Sequence, residues 1–328
     1  MSTPNRQLTI AQAIREALRE EMLRDPEVFL MGEEVAGHGG VFQVTVGLLD
    51  EFGPERVTDT PISEAIIVGA GIGAAMLGMR PVVEIMFGDF SMLAMDQIVN
   101  QAAKLRYMSG GRISVPLTIR TTLGAGRSSA AQHSQSLQAI FAHIPGLKVV
   151  LPSTPYDAKG LLKTAIRDPD PVIFIEDKMS YSEKGNVPEE EYLIPFGVAD
   201  IKRHGKDITV IATSSMVPVA LAATDTLAQQ GVDAEVIDPR TLVPLDAQTL
   251  ITSVKKTGRA IIVDEGCLGY GATAELASVV AEGAFDYLQA PVKRLGAMNV
   301  PLPYSHPLES VIIPTSKQIV EHALALLA

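Results

Sequence analysis

A single cysteine, Cys267, stands in this chain of 328 residues. It can form no internal disulfide, so a reducing cytoplasm is the expected compartment. No nucleophile motif surrounds it, and it reads as a small core or interface residue. Positive charge is also scarce: 27 Lys and Arg face 38 Asp and Glu, a formal net charge of −11. Binding a phosphate backbone needs a dense basic face, which these dispersed cations do not supply. The apolar run from Ala65 to Met79 carries four glycines and stops after fifteen residues at Arg80. A bilayer span needs roughly 20, so no transmembrane helix is expected. At the N-terminus, Thr9 and Gln12 stand in capping-box spacing, with Ile14, Leu18 and Met22 on one helical face. That pattern is an amphipathic helix and not a signal peptide.

Several catalytic signatures are missing as well. There is no G-x-x-x-x-G-K-[ST], no G-x-S-x-G and no H-E-x-x-H, which removes the common routes to phosphate cradling, serine hydrolysis and zinc proteolysis. The histidines at 38, 133, 143, 204, 306 and 322 are too far apart in sequence to make a local metal pair.

What is present is a folding chain with 47% apolar and 20% charged residues and with its glycines and prolines scattered. Collagen, coiled coil and disorder are excluded, and the length suits about two domains. Short β-branched runs begin at Val28 (VFLMGEE), Arg80 (RPVVEIM), Val115 (VPLTIRTT), Leu147 (LKVVLPS) and Pro171 (PVIFIED), with helical patterns between them. Such alternation predicts βαβ units and an α/β fold with a mostly parallel sheet. From Lys178 to Lys206 the pattern lapses into glycine, proline and an acidic run, which reads as a linker. It then restarts with DITVIATSS, a helix stopped by Gly231, DAEVID, a helix stopped by Gly258, and RAIIVDEG. The expected organisation is a first α/β domain over 1–180, a linker over 181–205 and a smaller α/β domain over 206–328.

The segment AIIVGAGIGAAMLG holds Gly69, Gly71 and Ala74 in G-x-G-x-x-A spacing. A nicotinamide site would also need an acidic residue about 20 positions on. The candidate, Glu84, comes only thirteen after Gly71. The better reading is a buried helix whose small residues Gly69, Gly73 and Ala74 let another element approach closely, with an NAD-dependent oxidoreductase as a distant alternative.

Three stretches say more. They are DTPISEAIIVGAGIGAAMLG, in which Glu64 heads an almost uncharged helix; EIMFGDFSMLAMDQIVNQAAKLRYMSGG; and AAQHSQSLQAIFAHIPGLKVVLPSTPYDAKGLLKTAIRDPDPVIFIE. With VIDPRTLVPLDAQTL and APVKRLGAMNVPLPYSHPLE further on, they resemble, nearly end to end, the β subunit of the thiamin-diphosphate-dependent first component of 2-oxo acid dehydrogenase complexes. That family includes pyruvate, branched-chain 2-oxo acid and acetoin dehydrogenases. The resemblance implies a pyrimidine-binding-type domain followed by a transketolase C-terminal-like domain. It also implies an α subunit that holds the diphosphate and Mg²⁺ through a G-D-G motif. None exists here, since Gly88-Asp89 is followed by Phe90. An α2β2 heterotetramer follows, inactive without α, which delivers its acyl group to the lipoamide of a dihydrolipoyl acyltransferase.

Residue by residue, the resemblance makes Glu64 the glutamate that hydrogen-bonds the pyrimidine ring nitrogen of the cofactor. Without it, Glu64 reads as an acid satisfying a helix N-terminus. Phe90 matches the aromatic packed on the pyrimidine, and Ile62 and Met86 match apolar positions lining the same pocket. His133, in QHSQS, matches an active-site histidine that binds substrate oxygen and aids transfer to lipoyl, a role that suits an imidazole at cellular pH. Leu117, Ala165, Ile166, Asp168 and Asp170 fall where some members bind potassium; without the resemblance, Asp168 and Asp170 around Pro169 read as a turn. The wording GAGRSSAAQHSQSLQAIFAHIPGLKVV is closest to acetoin dehydrogenase β subunits, with pyruvate and then branched-chain members as alternatives. The loop in DEGCLGYGATAELAS departs from many relatives. A non-catalytic scaffold that docks the acyltransferase is a further alternative.

Overall fold

The structure, a computed structural model, describes residues 6–328, so the first residues of the segment read as carrying no signal peptide lie outside the described residues. The chain forms two compact units. The first runs to Leu123 and resumes over Ile140–Phe196; the second comprises Gly124–Ala139 and Gly197–Ala328. Thus Gly124–Ala139, inside the stretch 1–180 read as one domain, groups with the second unit.

The strands of the first unit are β1 (Gln7–Thr9), β2 (Val28–Gly32), β3 (Val57–Asp59), β4 (Arg80–Ile85), β5 (Thr118–Leu123), β6 (Lys148–Val150), β7 (Val172–Asp177) and β8 (Lys184–Asn186). Six of them lie side by side in the order β6-β7-β5-β4-β2-β3, every pair parallel. Both faces are covered, which is why β7 and most of β4 are buried along their length and show no polar alternation. The helix Ile10–Arg24 opens on the predicted capping box: Thr9 Oγ1 accepts the Gln12 amide at 3.1 Å and Gln12 Oε1 accepts the Thr9 amide at 2.9 Å. Its Ile14, Leu18 and Met22 are all buried, each worth about 1.5–3 kcal/mol of transfer free energy. They pack with Leu161, Leu162 and Ile166 of the helix Pro155–Arg167 in one core. That second helix is capped by Thr154, whose hydroxyl accepts the Asp157 amide.

In the second unit the strands are β9 (Asp200–Arg203), β10 (Ile208–Ala212), β11 (Ala234–Asp238), β12 (Thr241–Val243), β13 (Ala260–Cys267) and β14 (Lys293–Ala297). Five of them form a sheet in the order β14-β13-β10-β11-β9, parallel except for β9 at the edge. Successive residues feed opposite faces: Val210 and Ala212 enter the core with the helices Met216–Ala228 and Ser316–Leu327, whereas Ile211 faces Leu250 and Leu276. Gly258 caps the helix Ala247–Thr257 at φ +70°, the left-handed conformation expected of it. The helix Met216–Ala228 instead has Gln229 at its cap, and Gly231 takes φ +80° beyond it. The stretch read as a linker holds two strands. β8 pairs antiparallel with β1, and β9 pairs with β11. Runs of three and four residues are too short to show a period.

Candidate active site

In the first sheet β2 has β3 on one side and β4 on the other, so the order of strand addition switches sides at β2. Parallel sheets leave a crevice at the carboxyl ends of such strands. Glu33 follows β2 directly, Ile62 and Glu64 come soon after β3, and Met86 and Phe90 come soon after β4. The strand order therefore brings four predicted residues to one edge of one sheet. Glu64 is the first residue of the helix Glu64–Met76 and is 5% exposed. Its carboxylate thus sits at the positive end of a helix dipole. Met86 and Phe90 are half-buried, and Ile62 is 83% exposed in this chain.

Glu33 escaped the sequence reading, in which GEE was only the end of a strand. Burial, followed by the negative charges of Glu64, Glu34 and Glu84, holds its carboxyl above the ordinary range. Two acids thus share this edge.

Phe90 belongs to a ladder of aromatic rings. It meets Phe87 edge to face at 6.1 Å, Phe87 meets Phe42 at 5.9 Å, and Phe42 stacks on Tyr181 at 5.1 Å. Gly88 makes the turn between Phe87 and Phe90 possible, since a Cβ there would lie 2.3 Å from Leu123 Cδ2. Below the ladder, Tyr181 Oη donates to Glu176 Oε2 at 2.6 Å, and Arg120 joins Glu176 to Glu84 across β4, β5 and β7. Burial, helped by the negative charge of Glu176, raises the Glu84 carboxyl against the opposing pull of Arg120. For Arg120 burial favours the neutral form, but Glu176 and Glu84 outweigh it and hold the guanidinium charged.

The G-x-G-x-x-A residues lie inside the helix Glu64–Met76, not at a strand-to-helix turn, so their amides are spent on the helix and form no pyrophosphate cradle. A close approach does occur, but at Gly71: a Cβ there would lie 2.8 Å from Val83 Cγ1 and 3.0 Å from Leu117 Cδ1. Of the residues predicted for that role, Gly73 meets nothing within 4 Å and Gly69 meets only the Gln97 side chain at 3.6 Å.

His133 belongs to the second unit, half-buried in the segment Gly124–Ala139, and its amide lies 3.5 Å from the Ala130 carbonyl. Carboxylates hold this segment. Glu265 Oε1 accepts the Ala125 amide at 2.7 Å, and Gln138 Nε2 donates to both Asp264 oxygens at 2.9 and 2.7 Å. Burial raises the Asp264 carboxyl, although Thr213, Gln138 and the Gly266 amide all donate to it. Nothing in the local pattern around Glu265 or Asp264 marks them as loop anchors.

The residues read as a potassium site already have partners within the chain. The Leu117 carbonyl accepts the Val172 amide at 2.9 Å and that of Ala165 accepts the Asp168 amide at 3.2 Å. Arg80 Nη1 donates to the carbonyls of Ile166 at 2.9 Å and Asp168 at 3.4 Å. Lys148 Nζ bonds both Asp168 oxygens at 2.6 Å, and Asp170 is held by Arg106 at 2.5 Å. Arg80, Lys148 and Arg106 thus bring positive charge to these oxygens. Nor do the described residues contain a cluster of three or more His, Cys, Asp or Glu able to hold a metal.

Comparison with known proteins agrees with this architecture. The family "Transketolase, pyrimidine binding domain" matches residues 6–184 and "Transketolase, C-terminal domain" matches residues 197–319. The acetoin:2,6-dichlorophenolindophenol oxidoreductase subunit beta of Bacillus subtilis (strain 168) is 50% identical over 98% of each chain. The pyruvate dehydrogenase E1 component subunit beta of Rickettsia felis is 49% identical over 96% of this chain and 97% of its own. Among solved structures, a split-gene transketolase described as an inactive beta4 tetramer superposes with a TM-score of 0.78 at 22% identity, covering 98% of both chains, which is a likeness of fold.

Proposed function

The chain belongs to the family of transketolase-like β subunits of acetoin and pyruvate dehydrogenase E1 components, and on that premise we propose that it supplies the pyrimidine side of a thiamin diphosphate site completed by an α subunit. The assembly is an α2β2 heterotetramer that cleaves acetoin or a 2-oxo acid and passes the acyl group to the lipoamide of a dihydrolipoyl acyltransferase. A cytoplasmic setting suits its one cysteine, Cys267. The observation that carries this reading is the buried Glu64 at the carboxyl-end crevice, beside a second acid and next to the aromatic Phe90 segment. Nothing in this chain supplies the G-D-G motif for a diphosphate and its Mg²⁺, which is why the α partner is required.

Thiamin diphosphate, when bound, would supply a nucleophilic carbon and an electron sink for cleavage next to a carbonyl. This chain's residues set the conditions for that chemistry. Glu64 would hold the pyrimidine ring nitrogen by a hydrogen bond and share a proton with it. Phe90 packs against the ring, and the aromatic ladder behind it excludes water. Ile62, exposed in the isolated chain, is covered once the site is assembled. His133 binds the substrate oxygen and moves a proton there during transfer to lipoyl.

Acetoin is the substrate we favour, on the wording GAGRSSAAQHSQSLQ around His133, and pyruvate is the alternative, since relatives of both kinds match at 50% and 49% identity. Co-expression with an α-type subunit and an assay of thiamin-diphosphate-dependent dye reduction separates them. Expected are no activity from this chain alone and faster turnover of acetoin with α present. Faster turnover of pyruvate would replace the substrate, and no cofactor-dependent activity with any α-type subunit would overturn the reading.

A further inference from the structure

The segment from Gly124 to Leu137 contains neither helix nor strand, and yet its conformation is tightly specified. Glu309, in the short helix His306–Glu309 and 1% exposed, takes two of its amides: Oε1 accepts from Gly126 at 2.8 Å and Oε2 from Ser128 at 3.0 Å. Among the described residues no ion pair is made by this carboxylate, so the buried group rests on two loop amides. Hydrogen bonds to an ionised acceptor are about twice as strong as neutral ones. The two amides flank Arg127, and a carboxylate that bridges residues two apart curls the backbone between them into an anion-binding turn.

The loop is also strained. Ser128 and Ala130 hold φ of +54° and +61°, a region that side chains with a Cβ occupy only where the surroundings over-determine it. The contacts that hold it here include the Glu309 bridge and the Glu265 bond to Ala125. His133 comes three residues after Ala130, and its amide lies 3.5 Å from the Ala130 carbonyl.

The geometry points to Glu309 as a positioning residue: its carboxylate fixes the turn at Gly126–Ser128 and so sets where His133 is presented to the acyl-transfer step. Glu265 supports the same turn. The inference rests on the role proposed above for His133, and the test separates the two.

In the reconstituted α/β complex, Glu309→Gln keeps the shape but sets an amide group against one loop N–H. The amides of Gly126 and Ser128 should then exchange with solvent about tenfold faster. The kcat for acylation of a lipoyl domain should fall about tenfold, with KM for that domain and the affinity for thiamin diphosphate retained. In a His133→Ala background the same change should add no further loss, because both act through one group. Unaltered amide exchange, or a loss that multiplies with that of His133→Ala, would overturn the proposal. Full-rate acylation by His133→Ala would overturn the role of His133 itself. Slow acylation by that variant beside wild-type acylation by Glu309→Gln would sink the Glu309 inference alone. If Glu309→Gln fails to assemble, Glu265→Gln, which weakens the Ala125 contact, should show the same pattern more weakly, and no effect on acylation would overturn the inference.

Discussion

Arg120 grips Glu176 through two parallel hydrogen bonds, Nε to Oε1 at 2.7 Å and Nη2 to Oε2 at 2.8 Å, with the two side chains 2% and 1% exposed. Its remaining nitrogen, Nη1, reaches Glu84 Oε2 at 2.6 Å, directly opposite in the β4–β5 register. One cation is therefore shared between two buried acids. Replacing Arg120 by Met should leave both carboxyls buried without their partner and cost about 3–5 kcal/mol. Thermal melts should show a fall in Tm of about 10 °C; an unchanged Tm would mean the network is stabilised from elsewhere.

Glu33 predicts a pH dependence with a definite sign. Burial and the charge of Glu64 raise its carboxyl in the folded chain, so the fold favours its protonated form and loses stability as pH rises through that raised value. Glu33→Gln mimics the protonated form. It should raise the Tm of the isolated chain by about 1–2 °C at neutral pH, a modest effect because the group is partly solvated. The gain should vanish below about pH 4, where the wild-type carboxyl is protonated in both states. A gain that grew towards acid pH would refute the assignment.

Gly71 and Gly73 share one helix and should respond in opposite directions to Ala. At Gly71 the new methyl meets Val83 and Leu117 at 2.8 and 3.0 Å, and overpacking costs about 1–3 kcal/mol. Gly73 is exposed with open space around it, so Gly73→Ala should stabilise the isolated chain by about 0.5–1 kcal/mol through helix propensity. Urea midpoints of the two variants compare them directly.

Potassium should not matter to this fold. With Arg80 on the carbonyls of Ile166 and Asp168, the Tm should be equal in potassium, sodium and choline chloride at matched ionic strength. A specific rise in potassium would show that Arg80 yields its place to the ion.

For the chemistry, Glu64→Gln in the α/β complex should lower cofactor-dependent turnover by about 10²–10⁴-fold, the span of a lost acid–base group. His133→Ala should slow lipoyl acylation more than it weakens cofactor binding. Full activity of the Glu64 variant would support the non-catalytic scaffold instead.

Much of the fold was legible because its signals are local. Thr9 and Gln12 close a capping box within one turn, and Gly258 ends its helix in the conformation only glycine adopts cheaply. The strand starts at Val28 and Arg80 were marked by apolar, β-branched runs. What stayed hidden had no local period: β1, β3 and β8 are three residues each. The small-residue helix was recognised, but the residue that touches the sheet is Gly71, since which side of an almost wholly apolar helix turns inward is set by the sheet beneath it.

By itself, then, the sequence determined the alternation of strands and helices, the caps that bound them and the wording that marks the family, all properties of short windows. Tertiary structure alone decided the rest. Gathering Glu33 with Glu64 and the Phe90 segment at one edge depends on the order of parallel strands, which no window encodes. Arg80 reaches Ile166 across 86 positions, and Glu309 reaches Gly126 across 183. Hydrogen bonds are made between atoms a few ångströms apart in space, whatever their separation along the chain.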